Sequence, residues 1–500
     1  MKKLITSLSI LVFVSLYTYS QNDVDALRYS QTEFGGTARS VATAGAFGAL
    51  GGDYGSLSIN PAGIGVYRKS EFTFTPSMYT SLTNSRYQGR NYFESKYNFN
   101  FSNIGVVITY LYKDHKEAKE GDNKSGWVSS NIGFGINRVK NFHNRSYFEG
   151  LNTDNSIIDK YVQEANAGTG ILLDDLEDTS PFRADLAYAT YLMDPTDSLG
   201  GTYFRAFSLG DGILQRKEIV RSGAINDFAF TMGGNYSNKL YVGASFNFPI
   251  VRYSENTVFE EEATGIDTTN FTSFRINESL STEGQGFNFK FGLIARLADW
   301  VRIGGSVQTP TFYDLTDRYD SRIVSNIYNK KYEKSSPNGK FDYQLTTPLK
   351  ANTSIAFIIG KKGFLSVDYE VVDYSTSRLR SSGYKFFDEN ESIYNKYHQT
   401  GNLRIGTEWK FDKISVRGGY ALYGTPFHTA YLPDDGGDQS KTFYTLGLGL
   451  REDGYYIDLA YVYAESSSYH VPYTLTGQST SGSVNKSTDH NIMMTVGCRF

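Results

Sequence analysis

Cysteine is nearly missing from this chain of 500 residues: Cys498 stands alone, which rules out an intrachain disulfide framework. Proline is scarce, with 11 residues against 49 glycines, and no Pro-rich or Ser/Gly linker divides the chain into separate soluble domains. Neither sign of charge is in excess. The balance of 49 basic and 53 acidic residues carries no signature for nucleic acid or a polybasic membrane anchor. There are six histidines, His115, His143, His398, His428, His470 and His490, all in or beside predicted loops and turns. No pair of them has metal-ligand spacing, and no serine sits in a nucleophile-elbow motif. Asp114-His115 and Asp489-His490 are neighbours in sequence, which on a strand points them to opposite faces. An enzyme is therefore not expected, and no cofactor or metal is assigned.

Long apolar runs are also missing, apart from one. Residues 4–16 follow Lys2 and Lys3, and Thr18-Tyr19-Ser20 precedes Gln21. A positive start, a short apolar core and small residues before a cut describe a secretory signal over residues 1–20. The run is shorter than the ~20 residues a membrane-spanning helix needs. Gln21, where a lipoprotein would carry Cys, argues against a lipid anchor. The mature protein is expected to be exported.

What the chain has in abundance is aromatic side chains, 39 Tyr and 34 Phe, which favour pleated surfaces and wet–apolar boundaries. Alternation recurs from about residue 71 to the end. Leu365, Val367, Tyr369 and Val371 alternate with Ser366, Asp368 and Glu370; Leu403, Ile405, Thr407 and Trp409 alternate with Asn402, Arg404 and Glu408. Ile457, Leu459 and Tyr461 alternate with Asp458 and Ala460, and 287–297 follows the same rule with Asn288, Lys290 and Arg296 on its polar side. Strands with one apolar and one charged face suit a barrel with lipid outside and a polar lumen, and equally a soluble sandwich with the faces reversed.

Connection lengths favour the barrel. Two-residue gaps at Asn238-Lys239, Ala298-Asp299, Lys361-Lys362, Asp412-Lys413 and Glu452-Asp453 alternate with polar, Tyr-rich stretches at 253–284, 311–349, 375–399 and 465–488. Short turns on one side and long loops on the other mark outer-membrane barrels. Strand starts near 71, 99, 127, 226, 239, 285, 300, 350, 363, 400, 414, 441, 454 and 489 predict an all-β fold, a transmembrane antiparallel barrel of about 14 strands over 71–500. Two connections are unusual. Residues 139–225 exceed ordinary loop length and predict a folded extracellular insert with helix-compatible stretches at 157–165 and 171–176. Residues 113–126, KDHKEAKEGDNKSG, predict a charged, solvated periplasmic turn.

About half of residues 35–66, GGTARSVATAGAFGALGGDYGSLSINPAGIGV, is glycine or alanine, and Arg39 and Asp53 are the only charges. Such a segment packs closely but has too few large apolar side chains for a core of its own. Placed between an export signal and a barrel it predicts a plug, a hatch over 21–70. Glycine gives it freedom to rearrange and Pro61 fixes a turn, so Asn60, Pro61, Ala62 and Gly63 are the candidate gating residues; holding a turn in a static plug is the alternative. Glycines three apart at 45, 48 and 51 lack the Lys-Ser/Thr ending and βαβ setting of a phosphate loop. Asp434-Asp435-Gly436-Gly437-Asp438 could hold Ca²⁺ by its oxygen ligands, as could Asp174, Asp175, Glu177 and Asp178, but plain solvated turns suit both stretches better. The chain closes with Ile492, Met494, Val496, Cys498 and Phe500 on one strand face. A last amphipathic strand ending on an aromatic resembles the signal that barrel-assembly machinery reads, with Val496, Cys498 and Phe500 as its core.

These residues together resemble the FadL/TodX family of outer-membrane transporters for long-chain fatty acids and other hydrophobic compounds. Ser58-Ile59-Asn60-Pro61-Ala62-Gly63-Ile64 is similar to the family's plug element, and Val416–Pro426 with Leu432-Pro433-Asp434 to a strand ending in Thr-Pro and its loop. Residues 444–450, 457–461, 302–310 and 365–375 also fit. The likeness covers the plug and roughly the last two hundred residues, and thins across 81–285. It implies a fourteen-stranded barrel with an N-terminal hatch, passive transport, and an outer hydrophobic groove on the loops at 253–284 and 311–349, which the insert at 139–225 disturbs. Implied partners are hydrophobic small molecules such as fatty acids and detergent-like lipids, outer-membrane lipid and lipopolysaccharide, and the assembly machinery, with no nucleic acid. Two rival functions remain at this point: a non-transporting barrel that docks partners or serves protein secretion, and a general diffusion porin.

Overall fold

The computed structural model describes residues 22–112, 125–265, 270–360, 362–432 and 437–500. The predicted signal at 1–20, most of the charged turn 113–126 and most of the acidic stretch 434–438 lie outside these residues. The barrel strands run β1 Glu71–Tyr87, β2 Arg90–Leu111, β3 Trp127–Asn141 continued by Asn144–Asn152, β4 Ile213–Tyr236, β5 Leu240–Ala263 and β6 Phe271–Ala298. Next come β7 Val301–Gln308 with Phe312–Ile327, then β8 in three pieces, Lys330–Ser335, Gly339–Thr346 and Lys350–Ile359. The last six are β9 Gly363–Asp373, β10 Gln399–Phe411, β11 Ile414–Tyr423, β12 Asp438–Arg451, β13 Tyr455–His470 and β14 Ser483–Arg499.

Each strand is antiparallel to its neighbours in sequence, and β14 pairs with β1 from Glu71↔Arg499 to Arg86↔Val484. The result is a closed barrel of 14 strands, with the ring sealed at its seam by reciprocal bonds between Ser70 and Phe500. Closure leaves no unpaired edge, the condition for spanning hydrocarbon. The alternation holds residue by residue: Leu365, Tyr369, Leu459, Phe291 and Leu293 face outward and exposed, while Asp368, Arg404, Glu408, Asp458 and Lys290 are buried inside. The predicted opposition of Asp489 and His490 also holds, since Asp489 meets Lys441 inside at 2.8 Å and His490 meets Tyr461 outside.

The outer end differs from expectation. Residues 253–263 and 271–284, and most of 311–349, are paired strand rather than long loops, because β5 to β8 continue well beyond the apolar band. In these upper reaches the outward face is polar and charged while the inward face packs on the insert, so the apolar-outside alternation that marks a strand in lipid is lost from the sequence while the backbone ladder persists. Cross-strand ion pairs such as Arg221–Glu255 at 2.6 Å and Arg216–Glu262 at 2.7 Å add about 0.2–1 kcal/mol each. The same extension narrows the insert. Asn144–Asn152 pairs with β4 over Ile213–Arg221, so 153–212 is the part outside the wall, where 139–225 was expected.

The insert shares a core with the extended strands. Three helices, α3 Ile157–Ala165, α4 Leu176–Thr179 and α5 Ala184–Ala189, bury Ile158, Tyr161, Leu176 and Leu186 against Phe259, Phe274 and Ile323 of the extended strands, with Leu192 just after α5 in the same core. The helix expected at 157–165 is there because Ser156 caps it in a capping box with Asp159 and its apolar face is continuous. The stretch at 171–176 forms only a short 3₁₀ turn at Leu173–Asp175.

Glu261 of β5 is buried where this insert meets the wall. It accepts from Ser156 Oγ, from Ile157 N at 3.0 Å and from Gln215 Nε2 at 2.8 Å. Burial pushes its carboxyl up to about 7, against the lowering by those three donors. A carboxyl raised in the folded state stabilises the fold when protonated, and that stability falls as pH rises from about 4.5 to about 7. We expect the insert to resist proteolysis better at pH 5 than at pH 8 by roughly 3 kcal/mol at most, and Glu261→Gln to flatten that dependence. Limited proteolysis at the two pH values, read at the 153–212 segment, checks it.

Candidate functional site

Residues 22–70 run inside the barrel. The first helix, α1 Asp23–Ser30, is capped by Asn22 and buries Ala26, Leu27 and Tyr29 among Val251, Tyr253, Tyr343 and Val372 of the wall. The connection between β9 and β10 folds inward to meet it. Its helix α6, Phe387–Lys396, places Lys396 Nζ 3.0 Å and Tyr397 OH 3.2 Å from Asp23.

Below α1 the glycine-rich stretch forms three short turns: α2 Ala38–Val41 and 3₁₀ turns at Tyr54–Ser58 and Pro61–Val66. Each has its cap. Thr37 serves the first, Asp53 the second through Gly55 N at 2.9 Å, and Asn60 the third through Ala62 N at 3.0 Å. Short-side-chain caps hold turns that propensity alone would not. Gly51 and Gly52, at φ 65° and 70°, make the reversal between the first two turns, a conformation other residues rarely adopt.

The candidate gating residues come together at the wall. Asn60 donates from Nδ2 to Gly48 O at 2.7 Å and to Leu293 O of β6 at 3.1 Å. Pro61, Ala62 and Gly63 are buried, and Gly63 O accepts from Gly52 N at 3.0 Å. All four therefore sit in a turn docked on β5 and β6.

That docking rests on glycines of the wall. A Cβ on Gly292 would lie 1.9 Å from Asn60 Oδ1, one on Gly243 2.3 Å from Pro61 O, and one on Gly304 2.3 Å from Gly48 O. Gly406 and Gly419 receive Thr43 in the same way, Gly447 receives Ala42, and Gly105 the ring of Tyr54. Gly233, Gly243 and Gly292 lie directly opposite one another across β4, β5 and β6. Sequence reasoning placed glycine's role in the plug; the wall glycines at inward positions were missed. Their signal was available as Gly on the polar side of alternating strands.

Polar wall side chains complete the seat. Irregular backbone buried in a barrel needs partners, and the wall supplies them: Ser102 Oγ to Gly36 O at 3.0 Å, Asn131 Nδ2 to Ile64 O at 2.7 Å, Lys290 Nζ to Ser58 O at 2.9 Å, Ser306 Oγ to Ile59 O at 2.7 Å and Thr445 Oγ1 to Ala42 O at 2.9 Å. Asp368 accepts from Gly48 N at 2.9 Å, and Thr495 from Ala38 N at 2.7 Å. The inward polar face is thus a receptor for the plug more than a lining for water. One ionic chain joins the two parts: Arg39 reaches Glu408 at 2.8 Å, Glu408 reaches Arg417 at 2.7 Å, and Arg417 reaches Asp458 at 2.7 Å. Beside Glu33 and Phe34 the lumen keeps cavities of about 70, 180 and 60 Å³, sizes for a few waters rather than a chain of methylenes. Glu33, Lys140, Lys441, Lys290 and Arg404 line them, so charged groups face these spaces.

The residues of the proposed assembly signal, Val496, Cys498 and Phe500, face outward and exposed on and just beyond β14. Glu177 of the acidic stretch lies 3.7 Å from Lys334, and its neighbours Asp174 and Asp175 are exposed.

No family model matches the chain, and no curated protein matches it. Solved structures do. A FadL homologue of Pseudomonas aeruginosa is 13% identical with a TM-score of 0.54, over 94% of this chain and 99% of that one. The Pseudomonas putida toluene transporter TodX is 14% identical with a TM-score of 0.50, over 94% and 99%. A deltaS2 mutant of the TodX monoaromatic hydrocarbon channel is 13% identical with a TM-score of 0.53, over 93% and 99%. At such identity the likeness speaks to the fold alone: the chain is a 14-stranded β-barrel with the architecture of the FadL homologue and of TodX.

Proposed function

We propose that the protein is a passive outer-membrane transporter for hydrophobic compounds, long-chain fatty acids among them, whose N-terminal hatch over 21–70 gates the lumen. The observation that carries this is the seat itself. A lipid-facing barrel whose inner wall is shaped by glycines and hydroxyls to receive a small, turn-rich plug is built to be closed, and a plug made of separate capped turns can leave in parts. Apolar solutes gain about 0.8 kcal/mol per buried CH₂ in a sheltered apolar path, which an opened hatch would have to provide. A wall this long and a lumen this full argue against a general diffusion porin. Export through a cleaved signal at 1–20 and recognition of Val496, Cys498 and Phe500 by the assembly machinery belong to the same reading. So do contacts with outer-membrane lipid and lipopolysaccharide.

The test is uptake of radiolabelled oleate and toluene by proteoliposomes. We expect flux above empty liposomes with no ionic current, and loss of flux when a disulfide engineered between hatch and wall is oxidised. Equal flux with the hatch locked and unlocked sinks the gating claim. No flux of either solute sinks transport.

A second reading draws on the insert. It is a folded element packed on the upper strands, and Leu172, Leu199 and Phe204 stand exposed at its surface, a pattern that suits partner docking. Deleting 153–212 separates the two: a transporter keeps its flux, whereas a docking barrel loses its co-purifying partner.

A further inference from the structure

A cavity of about 480 Å³ lies under the hatch at the end of the barrel where the short turns are. Its floor is apolar, from Leu50 and Val66 of the hatch and Ile358 and Phe364 of the wall. Its rim is cationic, with Arg68, Lys69, Arg302, Lys410 and Arg451. Among the described residues Glu408 is the one carboxylate lining it, and Arg39 and Arg417 already share that group at 2.8 and 2.7 Å. Glu71 nearby is held by Arg499 at 2.6 Å and by Tyr67 OH at 2.9 Å.

The rim cations therefore face one another with little counter-charge. Arg302 donates to Leu50 O at 3.1 Å, yet its Nε is buried with no partner. Arg451 stacks 5.0 Å over the Tyr456 ring and Lys410 approaches Glu408 only to 3.9 Å. Arg68, Lys69 and Lys410 reach solvent while Arg302 and Arg451 are half-buried; like charges gathered at the rim repel, most for the half-buried pair, and a buried donor without an acceptor costs free energy. One group relieves both: an anion with several acceptor oxygens. The volume is that of a small-molecule site, and the floor suits a short apolar stem.

We propose that this vestibule binds an anionic headgroup, carboxylate or phosphate, carried on an apolar stem, with Arg302 and Arg451 as its principal donors. That it receives solute leaving the hatch rests on the transport reading; the binding does not. The experiment is calorimetry on the full-length mature protein in zwitterionic nanodiscs, with empty nanodiscs as reference. Octyl phosphate and octanoate are expected to bind at least about tenfold more tightly than octanol, as charge-assisted bonds imply. The R302Q/R451Q variant should lose about that factor for both anions and none for octanol, its folding checked by heat-modifiable mobility. Equal affinities for octanol and octyl phosphate, or an unchanged variant, overturn the proposal. Inorganic phosphate binding as tightly as octyl phosphate also overturns it, leaving a free-anion site. Flux of toluene in proteoliposomes reports separately on transport: binding without flux sinks the transport reading alone, and flux without charge-dependent binding sinks this site alone.

Discussion

Replacing Gly243 and Gly292 together by valine is expected to turn a closed barrel into a conducting one. Valine suits a strand, so the wall ladder between β5 and β6 should form as before. The new side chains cannot coexist with the hatch: their Cβ atoms fall 2.3 Å from Pro61 O and 1.9 Å from Asn60 Oδ1. Since the wall is held by continuous cross-strand bonds on both sides, the hatch is the part that moves. It would give up the Asn60 bond to Leu293 O of the wall, whereas the Asn60 bonds with Gly48 O and Ala62 N lie within the hatch. A buried polar group left unpaired costs about 1–3 kcal/mol, and a loss of roughly 3 kcal/mol raises the displaced population by about a hundredfold. Planar-bilayer recordings should show ionic steps absent from the parent, and cells carrying the variant should become sensitive to vancomycin. Asn60→Ala, which removes the wall bond and the hatch's own turn bonds without forcing a clash, should give a smaller rise. A silent double variant with normal heat-modifiable mobility would mean that the hatch is not what closes the pore.

The sequence made the wall legible because lipid imposes a simple rule on it. In β9, Leu365 and Tyr369 must be apolar since they touch hydrocarbon, and Asp368 must not, so the register can be read by eye. Above the lipid that rule lapses. Arg216, Lys217 and Glu218 of β4, and Glu260, Glu261 and Glu262 of β5, look like a charged loop although they are paired strand, which is why residues beyond 253 and 311 were expected to be loops. The hatch announced itself by composition, and Asn60 and Pro61 by their fit to a capped turn. What composition could not convey is the complementary half of the contact. Gly406 and Gly419 are unremarkable as letters in two separate strands. They become a seat for Thr43 only when β10 and β11 are set side by side in register. Arg302 and Arg451 are likewise about 150 residues apart in sequence and meet only through barrel closure.

The ionic chain between hatch and wall gives the second large effect, and its order of severity is the informative part. Glu408, Arg417 and Asp458 have side chains 1%, 1% and 2% exposed, so none can turn to water when a partner is lost. Glu408→Ala leaves Arg39 and Arg417 facing each other with Lys410 close by, and Asp458 alone to balance them. Removing one partner of a buried pair costs about 3–5 kcal/mol, because the remaining charge stays desolvated. We expect poor assembly of this variant, and a marked fall in the temperature at which its folded band converts on SDS gels. Arg39→Ala should be milder for the barrel, since Arg417 still joins Glu408 to Asp458, while it unties α2 of the hatch from β10. The double variant R39A/E408A should be less damaged than E408A alone, for it removes the stranded cation together with its anion. That recovery is a coupling energy between hatch and wall, measurable by a double-mutant cycle. Strict additivity would show that Arg39 finds another partner, and that the hatch is held by its turns and the wall glycines without help from charge.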